Sequence, residues 1–374
     1  MALTKYRLED LLDRNTEYNE TLEFGISSVR GVLNTKGISD TKANVDSRDL
    51  SKFLVVRPGG FIFNHRVHDK LGLGYNTSKD VYIFTNDYVA FYVKPEIAEK
   101  VLLPDYLYMW YLRPEFDRYM LFKTYGSATL FFNWDNMCEL EIELPDITIQ
   151  QKYVDVYNAM IANQRSYERG LEDLKLTIDV MLDRIKHSSP TKPVSECLKE
   201  IDVRNEGGEI TSVQGINISK QFMPSVADIN GVNLRNYKVV KKGQFAYSGM
   251  QTGRDECIRI ARYRGEEPII ISPAYSVFDT IGEAVVPDYI MMWFSREQTD
   301  RRGWFMSDAS VRTNLDLERF YEIQLPVPEI EIQDSIVKLY SAYIARRKIN
   351  ERLKEQIKTI CPILIKGSLE EGAR

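Results

Sequence analysis

The sequence predicts an α+β fold in which one globular unit occurs twice, each time followed by a long helix. Short segments recur in the same order about 183 residues apart, and a long stretch with helical periodicity follows the last recurring segment of each half. The other residues form short apolar stretches separated by turn-forming residues, as is typical of strands. Helical and solenoid repeats have much shorter periods, so the recurrence indicates duplicated domains.

Three pairs of segments define the repeat. They are VVRPGGF at 55–61 and VVKKGQF at 239–245, PDYLYMW at 104–110 and PDYIMMW at 287–293, and IELP at 142–145 and IQLP at 323–326. Because the three pairs keep nearly the same spacing, they occupy matching positions in two tandem copies.

The segment before each long helix is predicted to contain strands and one short helix. The predicted strands are short apolar stretches bounded by Gly, Asn, Asp or Pro, at 53–56, 81–84, 89–93 and 269–271. The short helices are predicted over Pro104–Tyr111 and Pro287–Phe294. Each begins with proline at a plausible first helical position and continues with aromatic and methionine residues.

A long helix is predicted after each Leu-Pro motif. From Gln150 to Lys186 there is no proline, and bulky residues alternate at spacings of three and four, as in the seam of a coiled coil: 157, 160, 164, 167, 171, 174, 178, 181 and 185. The second helix is predicted from Gln333 to about Ile360, with Arg346 and Asn350 interrupting its seam. Pro362 is expected to end or kink it.

Composition is that of a globular protein of two or three domains. The chain has 374 residues, of which 44% are hydrophobic, and its formal net charge is −5. Its apolar runs are too short for a membrane span and no signal peptide is apparent, so a cytoplasmic location is expected. The four cysteines are isolated in the sequence, which argues against disulfides or a zinc ribbon. The acidic balance argues mildly against a protein that clamps DNA alone, although arginines cluster between 296 and 312.

Sequence signatures of catalysis or cofactor binding are not found. The chain has no GxxxxGK[ST] loop, no GxGxxG motif and no Pro-Pro dipeptide, which the catalytic loop of an amino-methyltransferase requires. His65 and His68 have a spacing that could suit a metal, but no carboxylate-histidine set accompanies them. We therefore predict no catalytic residue, no metal and no cofactor in this chain.

Recurring motifs in both copies are similar to those of the specificity (S) subunit of type I restriction-modification systems. In the first copy these are GSAT at 126–129, NW at 133–134, IELPDI at 142–147 and Gln150; in the second they are SDASVRTN at 307–314, IQLPVP at 323–328 and Gln333. The strands FIFNHR at 61–66, FAYSGM at 245–250 and SPAYSVF at 272–278 extend the resemblance. Two departures are that the first copy has one proline where the second has two, and that His65 and Gly249 stand where arginine is common.

The resemblance implies two target recognition domains held apart by two long helices, packed as an antiparallel coiled coil with pseudo-two-fold symmetry. The implied boundaries are 1–145 and 190–328 for the recognition domains and 146–189 and 329–374 for the spacer helices. Each domain would read one half of a bipartite, asymmetric DNA site. A helix over Gln150–Lys186 would be about 55 Å long, which suffices for half-sites centred about one DNA turn apart.

The resemblance also implies partners. Two modification (methyltransferase) subunits would dock on this chain, bind S-adenosylmethionine and methylate adenine. Restriction (translocase) subunits would join them and supply ATP-dependent and Mg-dependent activity. The chain itself would be a non-catalytic subunit that binds double-stranded DNA.

Candidate DNA-binding residues are those in turns rich in side chains that read base edges or phosphates. In the first copy they are Asn64, His65, Arg66, Lys70, Asn76, Thr77, Ser78, Lys79, Lys123, Tyr125 and Ser127; in the second they are Gln251, Thr252, Arg254, Ser310, Arg312, Thr313 and Asn314. Two other interpretations stay open: an autonomous DNA methyltransferase or nuclease with a diverged active site, and an interaction scaffold that does not bind DNA.

Overall fold

The computed structural model describes residues 3–41, 44–126, 129–226, 231–250, 255–308 and 314–374. The chain separates into two compact units. The first unit comprises Met1–Tyr167 together with Ile349–Arg374, and the second comprises Glu168–Lys348. The first unit therefore combines two segments that are far apart in the sequence.

A four-stranded antiparallel sheet forms the centre of the first unit, in the order Leu12–Asn15, Tyr88–Val93, Phe61–Asn64 and Leu73–Tyr75. Phe61 stacks on Tyr75 and Phe91, with ring centroids 4.5 and 5.0 Å apart. The described residues of this unit also form strand pairs beside the sheet: Thr4–Arg7 with Glu141–Leu144, Arg30–Val32 with Ile38–Asp40, Leu54–Val56 with Tyr82–Phe84, and Arg66–Val67 with Leu130–Phe131. The short helices are Leu8–Leu11, Ile26–Ser28, Leu50–Lys52, Pro104–Tyr111, Pro114–Lys123 and Trp134–Cys138.

Among its described residues, the second unit has two four-stranded sheets. The antiparallel one has the order Leu198–Ile201, Ser276–Thr280, Phe245–Ser248 and Arg259–Arg262. The mixed one has the order Phe222–Pro224, Val213–Ile216, Ile269–Ile271 and Lys238–Val240, and Thr191–Pro193 pairs separately with Gln324–Pro326. Short helices within its described residues include Val194–Cys197, Leu234–Asn236, Pro287–Phe294, Glu297–Met306 and Leu317–Tyr321.

The predicted short helices Pro104–Tyr111 and Pro287–Phe294 are confirmed at both ends. Proline stands in the first turn of each, where its missing N–H would have no helical partner in any case. The four predicted strands are also found, with bounds shifted by at most one residue.

The first long helix covers Ile147–Ser188, slightly more than predicted, and every predicted seam residue on it is buried or half-buried. The second long helix covers Ile330–Gly372 with Pro362 inside it, so the predicted end near Ile360 was wrong. A proline removes one helical hydrogen bond, a loss that tertiary packing can offset. That packing is present, because Ile365 is fully buried in the core of the first unit. Farther along, Ser368 shares a 2.6 Å hydrogen bond with the Tyr106 hydroxyl.

Within the first unit, the two long helices run antiparallel. Tyr153 donates a 3.2 Å hydrogen bond to Oε2 of Glu371, while farther along Nε2 of Gln164 donates to Oδ1 of Asn350 at 3.1 Å. Gln164 and Asn350 are both buried. Asn350 thus contributes a polar pair to the packed helix face, although the sequence pattern treated it as an interruption.

None of the helices that the structure describes combines the length and apolar character needed to cross a lipid bilayer.

Candidate nucleic-acid interface

In the first unit, three predicted DNA-binding residues meet around Phe131, which the sequence analysis did not select. The imidazole of His65 stacks on the Phe131 ring, with centroids 5.6 Å apart and planes 19° apart. The Tyr125 ring lies 5.9 Å from the same ring, and Arg66 is paired with Phe131 in a two-stranded sheet. We call His65, Arg66, Tyr125 and Phe131 the aromatic cluster. It presents ring faces and a guanidinium, groups that stack on bases and bind phosphates.

Asn64 shapes the backbone that leads into the aromatic cluster. Its Oδ1 accepts a 3.0 Å hydrogen bond from the N–H of Arg66, which is a side-chain turn typical of asparagine. The bond turns the chain out of the strand Phe61–Asn64 and sets the positions of His65 and Arg66. We therefore assign Asn64 a supporting position in this conformation.

Asn76 does not fit the predicted role of reading bases. Its side chain is 1% exposed, and its Nδ2 donates to the carbonyls of Val56 at 3.1 Å and Asp80 at 2.9 Å. Its Oδ1 accepts the hydroxyl of Ser78 at 2.7 Å. A buried amide needs such partners, and here they hold a turn together. The exposed candidates of this turn are Thr77 and Lys79.

A groove of about 750 Å³ in the first unit runs beside this turn, and Thr77 forms part of its wall. Arg30 and Arg165 also line the groove, as does Asp105. Tyr75 donates a 3.1 Å hydrogen bond to Oδ2 of Asp105. Burial, together with the nearby carboxylate, raises the pKa of Tyr75 well above its usual value, so its hydroxyl remains a donor at neutral pH.

Two of the three predicted lysines of the first unit, Lys123 and Lys70, differ in their surroundings. Nζ of Lys123 donates a 2.8 Å hydrogen bond to Oε2 of Glu139, and this bond raises the pKa of the lysine. The pair is partly exposed, so a phosphate could replace the carboxylate at little cost. Lys70 is exposed, with its charge available at the surface.

In the second unit, the ends of the two predicted DNA-binding segments lie side by side. Gly249 precedes one segment and Leu315 follows the other, and the N–H of Leu315 donates to the carbonyl of Gly249 at 3.0 Å. Asn314 closes its own segment, because its N–H donates to Oδ1 of Asp308 at 2.8 Å. Seven predicted residues lie outside the described part of the chain: Ser127, Gln251, Thr252, Arg254, Ser310, Arg312 and Thr313.

The first unit contains the corresponding bond. The N–H of Phe132 donates to the carbonyl of His65 at 2.9 Å. A helix N-cap follows in both units: Asn133 accepts the N–H of Asn136, and Asp316 accepts the N–H of Arg319, each at 2.8 Å. We call this backbone hydrogen bond between the two candidate segments of a unit the backbone joint. In both units, the candidate residues therefore lie next to a backbone joint that is followed by a capped helix.

Among the described residues, no group of three or more His, Cys, Asp or Glu side chains is arranged to hold a metal ion. Burial raises the pKa of the Cys138 thiol to about 11 and that of Cys361 to about 12. Both thiols are protonated near neutral pH and are poor nucleophiles.

Residues 263–359, about a quarter of the chain, match the family model of the type I restriction modification DNA specificity domain. A search of curated proteins returns no match.

Solved structures match over nearly the whole chain. The S subunit of a type I restriction-modification system from M. genitalium has a TM-score of 0.59 and 13% identity, with 99% of this chain and 96% of that chain covered. The HsdS subunit from Thermoanaerobacter tengcongensis has a TM-score of 0.45 and 12% identity, with 98% and 96% covered. A chain from a study of complex assembly and conformational transition of the type I R-M system has a TM-score of 0.48 and 13% identity, with 98% of each covered. The first similarity shows a shared fold.

Proposed function

We infer that this chain, whose residues 263–359 belong to the type I restriction-modification DNA specificity family, is the DNA specificity subunit of such a system. The family match carries this conclusion. The fold shared along the chain with an S subunit supports extending it beyond the matched residues.

We propose that the two units are diverged copies and that each reads one half of a bipartite, asymmetric DNA site. Three matched features support the proposal: a central four-stranded antiparallel sheet, a short helix that begins with proline, and the backbone joint between the candidate segments. The candidate residues themselves differ between the copies. Two units with the same supporting elements but different candidate loops suit two half-sites of different sequence.

We propose further that the two long helices form an antiparallel coiled coil, set the distance between the half-sites and dock the methyltransferase subunits. The burial of every predicted seam residue on Ile147–Ser188 supports the first part. The antiparallel contacts that Gln164 and Tyr153 make within the first unit support it as well.

In this proposal the chain is not itself an enzyme, and it works in the cytoplasm. Two modification subunits bind S-adenosylmethionine and methylate adenine. Restriction subunits supply the steps that depend on ATP and Mg.

The test is to map methylated adenines in cells that express this chain together with its cognate type I methyltransferase. We expect one asymmetric, bipartite motif with a fixed gap, and no methylation when either protein is expressed alone. Methylation by this chain alone would favour an autonomous enzyme. An unmethylated genome together with no salt-sensitive DNA binding by the purified complex would favour an interaction scaffold.

A further inference from the structure

Each unit carries a phenylalanine that packs against almost nothing, at the same place in the fold. Phe122 is the penultimate residue of the ten-residue helix Pro114–Lys123, and Phe305 is the penultimate residue of the ten-residue helix Glu297–Met306. Their exposed fractions are 84% and 85%. An isolated exposed apolar residue is common on protein surfaces, but a large ring at equivalent positions of two diverged copies needs an explanation.

The two helices are equivalent in more than length. The residue before each is an arginine whose guanidinium covers a tryptophan ring: Arg113 lies 4.2 Å from the centroid of Trp110, and Arg296 lies 4.7 Å from that of Trp293. These contacts fix the orientation of each helix within its own unit. Phe122 and Phe305 therefore lie on helices that begin with the same arginine–tryptophan contact.

An arginine lies four residues before each exposed ring, on the same helix face. Arg118 pairs with Glu115 at 3.1 Å, and Arg301 pairs with Glu297 at 2.5 Å. The arginine side chains are 70% and 74% exposed, so these ion pairs contribute little to stability and a phosphate could displace the carboxylates. We call Arg118 with Phe122, and Arg301 with Phe305, the Arg–Phe corners.

The corner of the first unit adjoins the candidate interface along the chain. Phe122 is followed by Lys123, and Tyr125 of the aromatic cluster comes two residues later. The end of the helix is fixed, because the hydroxyl of Thr124 donates to the carbonyl of Leu121 at 2.7 Å. The corner of the second unit likewise precedes Asp308 and the segment that Asn314 closes.

On the basis of the proposed function, we propose that each Arg–Phe corner contacts the DNA duplex beside its half-site without reading its sequence. The guanidinium binds a backbone phosphate, and the phenyl ring packs into an adjacent base step as an apolar wedge. The two corners are alike whereas the candidate reading loops differ, so the corners suit a feature common to both half-sites. The sugar-phosphate backbone and the faces of stacked bases are such features.

The test uses the full chain assembled with its methyltransferase subunits and compares F122A, F305A and the double variant. Loss of a base-aromatic contact corresponds to about 1–3 kcal/mol, so each single variant should bind the cognate duplex roughly 5- to 140-fold more weakly. The ratio of cognate to non-cognate affinity should stay unchanged, because the corner does not select bases. I26A and V226A, which truncate exposed apolar residues outside the long helices and outside the Arg–Phe corners, are the controls and should bind as the wild type does.

Salt dependence tests the arginines separately. R118Q and R301Q should each reduce the slope of log affinity against log salt concentration by about 0.9, as expected for one lost phosphate contact. Methyltransferase binding should be measured for every variant in the absence of DNA, and it should not change.

Three outcomes would overturn the proposal. DNA affinity within twofold of wild type in the double phenylalanine variant would show that the rings do not contact the duplex. Loss of methyltransferase binding without DNA would identify the corners as protein docking surfaces. A lower cognate to non-cognate ratio would make the rings base readers. A wild-type complex that binds no DNA specifically would instead contradict the proposed function, and the two failures are thus distinguishable.

Discussion

Nζ of Lys36 lies 2.7 Å from Oδ1 of Asp117, and the lysine side chain is only 4% exposed. The pair joins the hairpin of Arg30–Val32 and Ile38–Asp40 to the helix Pro114–Lys123. Lys36 has a positive φ of 62°, which is rare for a residue with a side chain. The second unit repeats the arrangement, with Lys220 at a φ of 58° and Nζ 2.5 Å from Oδ1 of Asp300.

Removing one partner of this buried pair should destabilise the first unit strongly. We expect K36A to lower the free energy of unfolding by about 3 kcal/mol, because it leaves the Asp117 carboxylate without its ion partner in a mostly buried position. The matched control is K52A, whose pair with Asp49 is exposed and should be worth less than about 1 kcal/mol. Urea unfolding of both variants measures the difference. Equal stabilities would show that the buried pair contributes no more than the exposed one.

Gly249 should be irreplaceable in the second unit. A Cβ atom at this position would lie 1.8 Å from the carbonyl oxygen of Leu315, so G249A cannot keep the backbone joint between the candidate segments. We expect methylation mapping of the variant to show relaxed specificity at one half-site and unchanged specificity at the other. G25A is the control, because its Cβ would meet nothing within 4 Å. A G249A variant with wild-type specificity at both half-sites would refute the assignment of the joint.

The aromatic cluster of the first unit should contribute to recognition of one half-site only. F131A removes the ring on which His65 stacks, and we expect about a tenfold loss of affinity for the cognate duplex, in line with the loss of one stacking contact. The measurement is a titration with duplexes in which either half-site is replaced by an unrelated sequence. The effect should disappear when the half-site of the first unit is absent. A loss that persists with that duplex would place Phe131 outside the interface.

Alkaline pH should destabilise the first unit through its buried tyrosines. Burial raises the pKa of Tyr106 to about 12 and that of Tyr108 to about 12. Because each folded pKa lies above the unfolded value of about 10, the folded state binds more protons between pH 10 and 12. Their contribution to stability is therefore complete below pH 10 and is lost as the pH rises toward 12.

Denaturant unfolding between pH 8 and 11 measures this loss, which Y106F should reduce because it removes one titrating hydroxyl. A wild-type protein whose stability is constant up to pH 11 would contradict the prediction.

The prediction of one short helix before each long helix was wrong, since Pro114–Lys123 and Glu297–Met306 are helical as well. Periodicity and proline placement were enough to predict the two long helices and the short helices Pro104–Tyr111 and Pro287–Phe294, because both are local properties of the sequence. The bounds of Pro104–Tyr111 could be predicted for this reason, whereas the end of the second long helix could not. The helix continues past Pro362 because of contacts with Tyr106 and other residues more than 200 positions away in the sequence.

Parts of the candidate site could not be predicted from the sequence, because they also depend on contacts between residues that are not neighbours in the sequence. Asn76 has the residue type of a base reader, but its partners come from the backbone of Val56 and Asp80, which residue type alone does not reveal. Phe131 lies in the apolar run LFF and was not among the candidates, and its ring contacts with His65 and Tyr125 place it in the aromatic cluster.

The first unit is built from two separate segments of the chain, and this affects how the protein folds during synthesis on the ribosome. Residues Glu168–Lys348 are continuous in sequence, so the second unit can fold as soon as they have emerged. The first unit must wait for residues 349–374, because Cys361, Leu364 and Ile365 belong to its core. The domain that begins the chain is therefore completed last. Until then the core side chains that pack against Cys361, Leu364 and Ile365 lack these contacts, so we expect the nascent first unit to bind chaperones.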